Sequence, residues 1–178
     1  MATTITEALQ EVKTINKRLE TKRNALMQYI GRDSRVKDPL EREGGSIEYI
    51  KRERQAIGDL EERIVKIRAA IQKVNMSTTL VLGARTRSIA EWLTWRREVS
   101  AGSNTFLLSM ANGLRAARTD LQKKGLKIVT DDSTAAPGDF VVHVDEKELL
   151  GQIEEMVQVL GDLDGKLSLL NATTVIEV

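Results

Sequence analysis

The sequence holds no cysteine, which excludes a disulfide framework and a thiolate metal site. It holds one histidine, His143, too few for a histidine metal cluster, and its place in a candidate strand reads as structural or exposed. A triad that depends on histidine cannot be assembled around it either. Aromatic residues are 3% of the chain, so the bulk of any core must come from Ile, Leu and Val. That composition suits helix packing better than a pocketed enzyme. The motifs GxGxxG, GxxxxGK[ST] and HExxH are all missing. The amino-terminal MATTITEALQEVK has no apolar stretch of the kind a secretory signal carries. The longest uncharged run, residues 99–114, is broken up by Ser, Gly and Asn and makes a poor membrane span. These absences point to a protein that is not an enzyme, takes no cofactor or metal, and resides in the cytoplasm or a virion.

What is present is charge and apolar periodicity. Net charge is +1, unevenly spread. Residues 1–76 carry 16 Lys/Arg against 12 Asp/Glu, residues 77–127 carry 9 against 3, and residues 128–178 carry 2 against 11. Such polarity suggests an acidic carboxy-terminal helix lying against basic ones, within a chain or between subunits.

A first helix is expected over 4–30, where Ile5, Val12, Leu19 and Leu26 repeat every seven residues beside Ala8, Ile15 and Tyr29. Gly31 ends it, and residues 31–45, rich in charge, Gly and Pro, read as a mobile loop. Ser46 is the expected cap of a second helix over 47–74. There Ile50, Ile57, Ile64 and Ile71 fill one heptad position and Leu60, Ile67 and Val74 the other. Lys22 and Glu53 occupy the two slots that should be apolar. They either face each other as a polar layer that fixes register, or both reach to water.

Asn75 is expected to stop that helix in a left-handed conformation. Ser88 and Glu91 form a capping box for a third helix, which carries Ile89, Trp92, Val99 and Phe106 on one face. Its stripe resumes out of phase as Leu107, Met110, Leu114, Ala117 and Leu121, so a kink is expected near Gly102. Gly125 closes it. A fourth helix over 146–170 has Leu149, Met156, Leu163 and Leu170 at one heptad position and Ile153, Leu160 and Leu167 at the other. Its glycines, Gly151, Gly161 and Gly165, suggest the close approach of another helix. The whole reads as mainly α: one domain over 1–178, an antiparallel four-helix bundle with a β-hairpin insertion at 126–144. Short strands are expected near 78–82, 126–129, 140–144 and 173–177.

Two helix exits echo each other, Asn75-Met76-Ser77-Thr78-Thr79-Leu80-Val81 and Asn171-Ala172-Thr173-Thr174-Val175-Ile176. In a bundle the strands at these exits, Thr78, Thr79, Leu80, Val81 and Thr173, Thr174, Val175, Ile176, would lie side by side. A lone strand pair is marginal, so these residues are the candidate self-association site. Trp92 and Trp95 beside Arg96 and Arg97 resemble a nucleic-acid surface, but Trp92 belongs to the apolar stripe, so core packing with an arginine rim is expected. The paired carboxylates Glu61-Glu62, Asp131-Asp132 and Glu154-Glu155 sit on polar faces or loops.

The stretches IQKVNMSTTL, RTRSIAEWLTWRREV, VDEKELLGQIEEM and LDGKLSLLNATT, spread through residues 71–174, resemble the septicolysin-like family of short bacterial and phage proteins. The loops at 31–45 and 131–139 and the glycine-bearing middle of the third helix depart from it. The resemblance implies a helical fold and, from the family name, a cytolytic activity, and assigns no site residue. Three functions are therefore expected in order. The first is a self-associating structural protein, an accessory component of a phage capsid or tail, whose partners are itself and other structural proteins. The second is a membrane-active cytolysin inserting residues 99–114. The third is a charge-driven adaptor.

Overall fold

The structure is a computed structural model that describes residues 2–130 and 134–177. In chain order the elements are β1 (Ala2–Thr4), α1 (Ile5–Met27), a 3-10 turn (Glu41–Glu43), α2 (Gly45–Ser77), β2 (Thr79–Leu82) and β3 (Arg85–Ser88). They continue with α3 (Ile89–Thr94), a π-helical turn (Trp95–Val99), α4 (Ser100–Lys123), β4 (Ile128–Val129), β5 (Phe140–Val141), α5 (Glu146–Thr173) and β6 (Val175–Glu177). The protein is mainly helical with short strands. Two compact units form, Met1–Asn75 with Ser168–Val178, and Met76–Leu167, where the sequence suggests one domain. Each unit gathers its own apolar cluster.

In the first unit the heptad residues of α1 are the buried ones: Ile5, Ala8, Val12, Ile15 and Leu19. Ile67 and Ile71 of α2 close on them, with Ile57, Leu60 and Ile64 packed alongside. The two helices run antiparallel, since contact partners fall along α2 as they rise along α1. Glu11 meets Arg63 at 2.8 Å, Lys22 meets Glu53 at 2.6 Å, and the Tyr29 and Tyr49 rings meet edge to face at 5.1 Å. The carboxy-terminal strand returns to this unit. β6 pairs antiparallel with β1, and Ile176, 4% exposed, enters the cluster. Thr4 caps α1 through a box with Glu7, and the Ile5 N–H donates to the Thr174 carbonyl at 3.1 Å.

Several helix limits differ from expectation. α1 ends at Met27, ahead of Gly31. Ser46 lies inside α2 and caps nothing. Its N–H and hydroxyl both donate to Asp38, at 2.8 and 2.6 Å, so a side chain eight residues upstream satisfies the helix start. Gly44 and Gly45, both at positive φ, let the chain fold back to it. Asn75 and Asn171 stay helical, and no non-glycine residue among those described has positive φ. The chain leaves each helix directly into a strand, so a left-handed stop is not needed.

In the second unit β2 and β3 form an antiparallel hairpin through Gly83 and Ala84. Gly83 sits at φ +55°, which favours glycine, and a Cβ there would lie 3.2 Å from Glu155 Oε1, close enough that the glutamate would have to shift. The strands 79–82 and 175–177 therefore do not lie side by side. Each finds an antiparallel partner within the chain, one through a two-residue turn and the other at the amino terminus. The Ser88–Glu91 box starts α3 as expected. The phase shift occurs at the π turn, upstream of Gly102, where the Ser100 N–H donates to the Trp95 carbonyl. One extra residue per turn swings Val99 and Phe106 outward, to 46% and 63% exposed, and brings Ser100 and Leu107 inward. Gly125, at φ +69°, ends α4 in a Schellman pattern, with Leu126 N–H on the Leu121 carbonyl and Gly125 N–H on that of Gln122.

The expected hairpin at 126–144 is not one. β4 and β5 pair in parallel, Ile128 beside Phe140 and Val129 beside Val141, whereas a tight hairpin would make them antiparallel. The carboxylates Asp131 and Asp132 lie outside the described residues. α4 and α5 run antiparallel, as the pairs Arg96–Asp164 and Arg118–Glu146 show.

Candidate functional site

Unit 2 builds a concavity from the hairpin and the two tryptophans. Trp92 is 1% exposed, and its indole N–H donates to the Leu80 carbonyl at 3.0 Å. That bond ties α3 to β2 and satisfies the one polar atom of a buried ring. Trp95 meets Trp92 edge to face at 5.5 Å, and the Arg87 guanidinium lies 5.0 Å from the Trp92 ring centre. Lys166 on α5 donates to the Val81 carbonyl at 2.7 Å, fastening the hairpin to the long helix. A cleft of about 160 Å³ remains, floored by Leu82, Trp92, Trp95, Met156 and Val159, with Arg85 and Glu155 at its mouth. A ring as buried as Trp92 offers no face to a nucleic-acid base. The expected core packing with an arginine rim describes the geometry.

The Glu91 carboxyl at the start of α3 is held below the usual carboxylate range, first by the Ser88 hydroxyl and then by the Ser88 N–H. Glu7 is held low in the same way at the start of α1, first by the Thr4 N–H. Asp38 is held low by the Ser46 hydroxyl and N–H. These depressed carboxyls cap helices. Their chemistry is structural.

The chain matches no family model, no characterised protein and no solved structure.

The site must therefore be judged on its own geometry. Of the candidate self-association residues, Thr79, Leu80 and Val81 are paired with β3, and the Thr78 carbonyl accepts from Ile89. Val175 and Ile176 are paired with β1, while the Thr173 hydroxyl bonds the Leu169 carbonyl within α5. The two groups belong to separate two-stranded sheets. Lys22 and Glu53 are joined directly, with side chains 32% and 15% exposed. His143 is exposed and lines an open concavity with Thr130, Asp145 and Lys147. Among the described residues no group of three or more His, Asp and Glu could hold a metal, and no helix is long and apolar enough to cross a membrane.

Apolar side chains on the helix surfaces complete the inventory. In α4 only Ser100 and Leu121 are buried, while Phe106 and Leu108 are 63% and 43% exposed. On α5, Leu150 and Val157 are 43% and 62% exposed. Both lie outside the heptad positions expected for α5. Their spacing of seven was the available signal. A Cβ added at Gly151, Gly161 or Gly165 would meet nothing within 4 Å, so no helix of the same chain approaches them closely.

Proposed function

We propose that the protein is a non-enzymatic, self-associating structural protein, of the kind that serves as an accessory component in a bacteriophage capsid or tail. Its helical hairpins become four-helix bundles on assembly. The observation that carries this reading is surface left uncovered. The chain exposes 12733 Å². Two compact bodies of half its mass, kept fully apart, would expose only roughly 10,400 Å² together. The difference, about 2,300 Å² on one chain, exceeds the roughly 800 Å² that each partner gives up in a standard protein–protein interface. Part of it is formed by Phe106, Leu150 and Val157, large apolar groups that gain by leaving water.

Light scattering tests the proposal. The solution mass is expected at a multiple of 19.9 kDa, persisting on dilution through the micromolar range. A species of 19.9 kDa at every concentration overturns it. The same measurement on a chain ending at Asn171 separates the strands from the helix faces. Loss of β6 is expected to loosen unit 1 and leave the oligomer formed.

A further inference from the structure

We infer that a second copy of this chain docks on the open side of the α4–α5 hairpin, α4 of each copy lying on α5 of the other, to complete an antiparallel four-helix bundle. The inference rests on the self-association proposed above and names the surface that carries it.

α5 bears two apolar stripes where a helix in a two-helix hairpin needs one. The first, with Leu149 at 3% and Leu163 at 0% exposed, faces the core of its own unit. The second is Leu150, Ile153, Val157 and Leu160, spaced i, i+3, i+7, i+10, the seam of a coiled helix pair. Leu150 and Val157 are exposed, while Ile153 and Leu160 are half-buried beside them. α4 adds Leu108 on the same side. In an antiparallel pair, residues one step beyond the mutual contact turn to the same side on both helices. Leu108 follows Leu107, and Leu150 and Val157 follow Leu149 and Met156. The open side thus carries an apolar stripe on α5 and the single large apolar residue Leu108 on α4. Gly161, one turn past Val157, leaves room for a neighbour to come close.

Charge selects the occupant. The second half of α4 and its C-cap carry Arg115, Arg118, Lys123 and Lys124 against Asp120. The first half of α5 carries Glu146, Glu148, Glu154 and Glu155 against Lys147. The Arg118–Glu146 pair places these halves at one level in a single copy. A second copy turned about a two-fold axis parallel to the helices keeps that level and sets each basic half opposite an acidic one. Docking α5 on α5 would oppose glutamate to glutamate. Among the described residues Arg115 and Lys123 form no ion pair within the chain, and both are exposed.

The test uses the full chain. Leu150→Glu with Val157→Glu puts charge where the folded monomer is exposed, so circular dichroism should be unchanged. Burying those charges in the contact should raise the dissociation constant by at least about tenfold. The absence of cysteine permits a second arm. Leu108→Cys and Val157→Cys chains, mixed and oxidised, should give a disulfide-linked dimer of the two, and Val157→Cys alone should not. An oligomeric wild type whose mass ignores the double glutamate variant overturns this inference and leaves self-association to another face. Self-linking of Val157→Cys overturns the α4-on-α5 arrangement. A monomeric wild type overturns both the inference and the reading beneath it.

Discussion

α1 and α4 are 23 and 24 residues long, yet α1 buries Ile5, Ala8, Val12, Ile15 and Leu19 while α4 buries only Ser100 and Leu121. Both helices are amphipathic and both have an antiparallel partner. The difference lies in what covers the second flank of the hairpin. α1 and α2 share an apolar seam that the tail strand closes with Ile176, and ion pairs such as Glu11–Arg63 and Lys22–Glu53 line its sides. α4 and α5 receive the β2–β3 hairpin and the tryptophans near one end and the short β4–β5 pair near the other, and Phe106, Leu108, Leu150 and Val157 stay exposed between. A helix pair alone leaves about half of each apolar stripe wet, so amphipathicity fixes where a helix can bury itself and the third element decides whether it does.

The largest way to break this comparison is a cavity in each core. Ile67→Ala and Trp92→Ala should destabilise their units by about 2–5 kcal/mol. Both tryptophans lie in unit 2. Ile67→Ala should therefore move the denaturant transition followed by circular dichroism while the tryptophan-fluorescence transition stays in place. A common shift in both signals would show that the units unfold together.

A smaller effect is expected at the polar layer. Lys22→Met leaves Glu53, 15% exposed, without its partner and should lose about 1–2 kcal/mol. Adding Glu53→Leu should restore most of it, since an apolar pair suits the seam as well. A double variant no more stable than the single one would show that the ion pair itself matters.

The smallest effect is at the helix starts. Ser88→Ala should cost about 1 kcal/mol. Because the folded Glu91 carboxyl is held low, its contribution is complete above the ordinary carboxyl range and is lost as pH falls through the folded value. The gap in thermal midpoint between wild type and Glu91→Ala should therefore close below about pH 4. A gap of constant width down to pH 2 would show that Glu91 contributes through something other than its ionised carboxylate, and no gap at neutral pH would assign the cap to the Ser88 hydroxyl alone.

Much of this molecule is legible in the sequence wherever a local rule acts alone. The heptads name the buried residues of α1, and Ser88–Glu91 and Gly125 mark real helix ends. Lys22 and Glu53, singled out because both break an apolar pattern, are in contact. The failures arise where a distant residue supplies what a local one was expected to supply. Asp38 takes the capping role given to Ser46. Residues 2–4, an unremarkable polar segment, provide the strand that covers 175–177. The π turn is the subtlest case. Its signal is the one-residue offset between Val99, Phe106 and Leu107, Met110, which shows that a residue is absorbed but not where. The buried Trp92, bonded to the Leu80 carbonyl, and the half-buried Trp95 packed against it fix the position, and the excess is taken up in the turn that Trp95 begins.

The strand pair β1–β6 also sets the order in which the chain can finish folding during synthesis. Unit 2 is continuous, Met76–Leu167, and has all its residues before the last segment is made. Unit 1 begins at the amino terminus but needs Ile176 for its core. The α1–α2 hairpin emerges first and waits with its seam open at one end, while the later unit closes. Residues 2–4 are made before unit 2 yet reach their final surroundings after it, a reversal of the usual amino-terminal-first sequence.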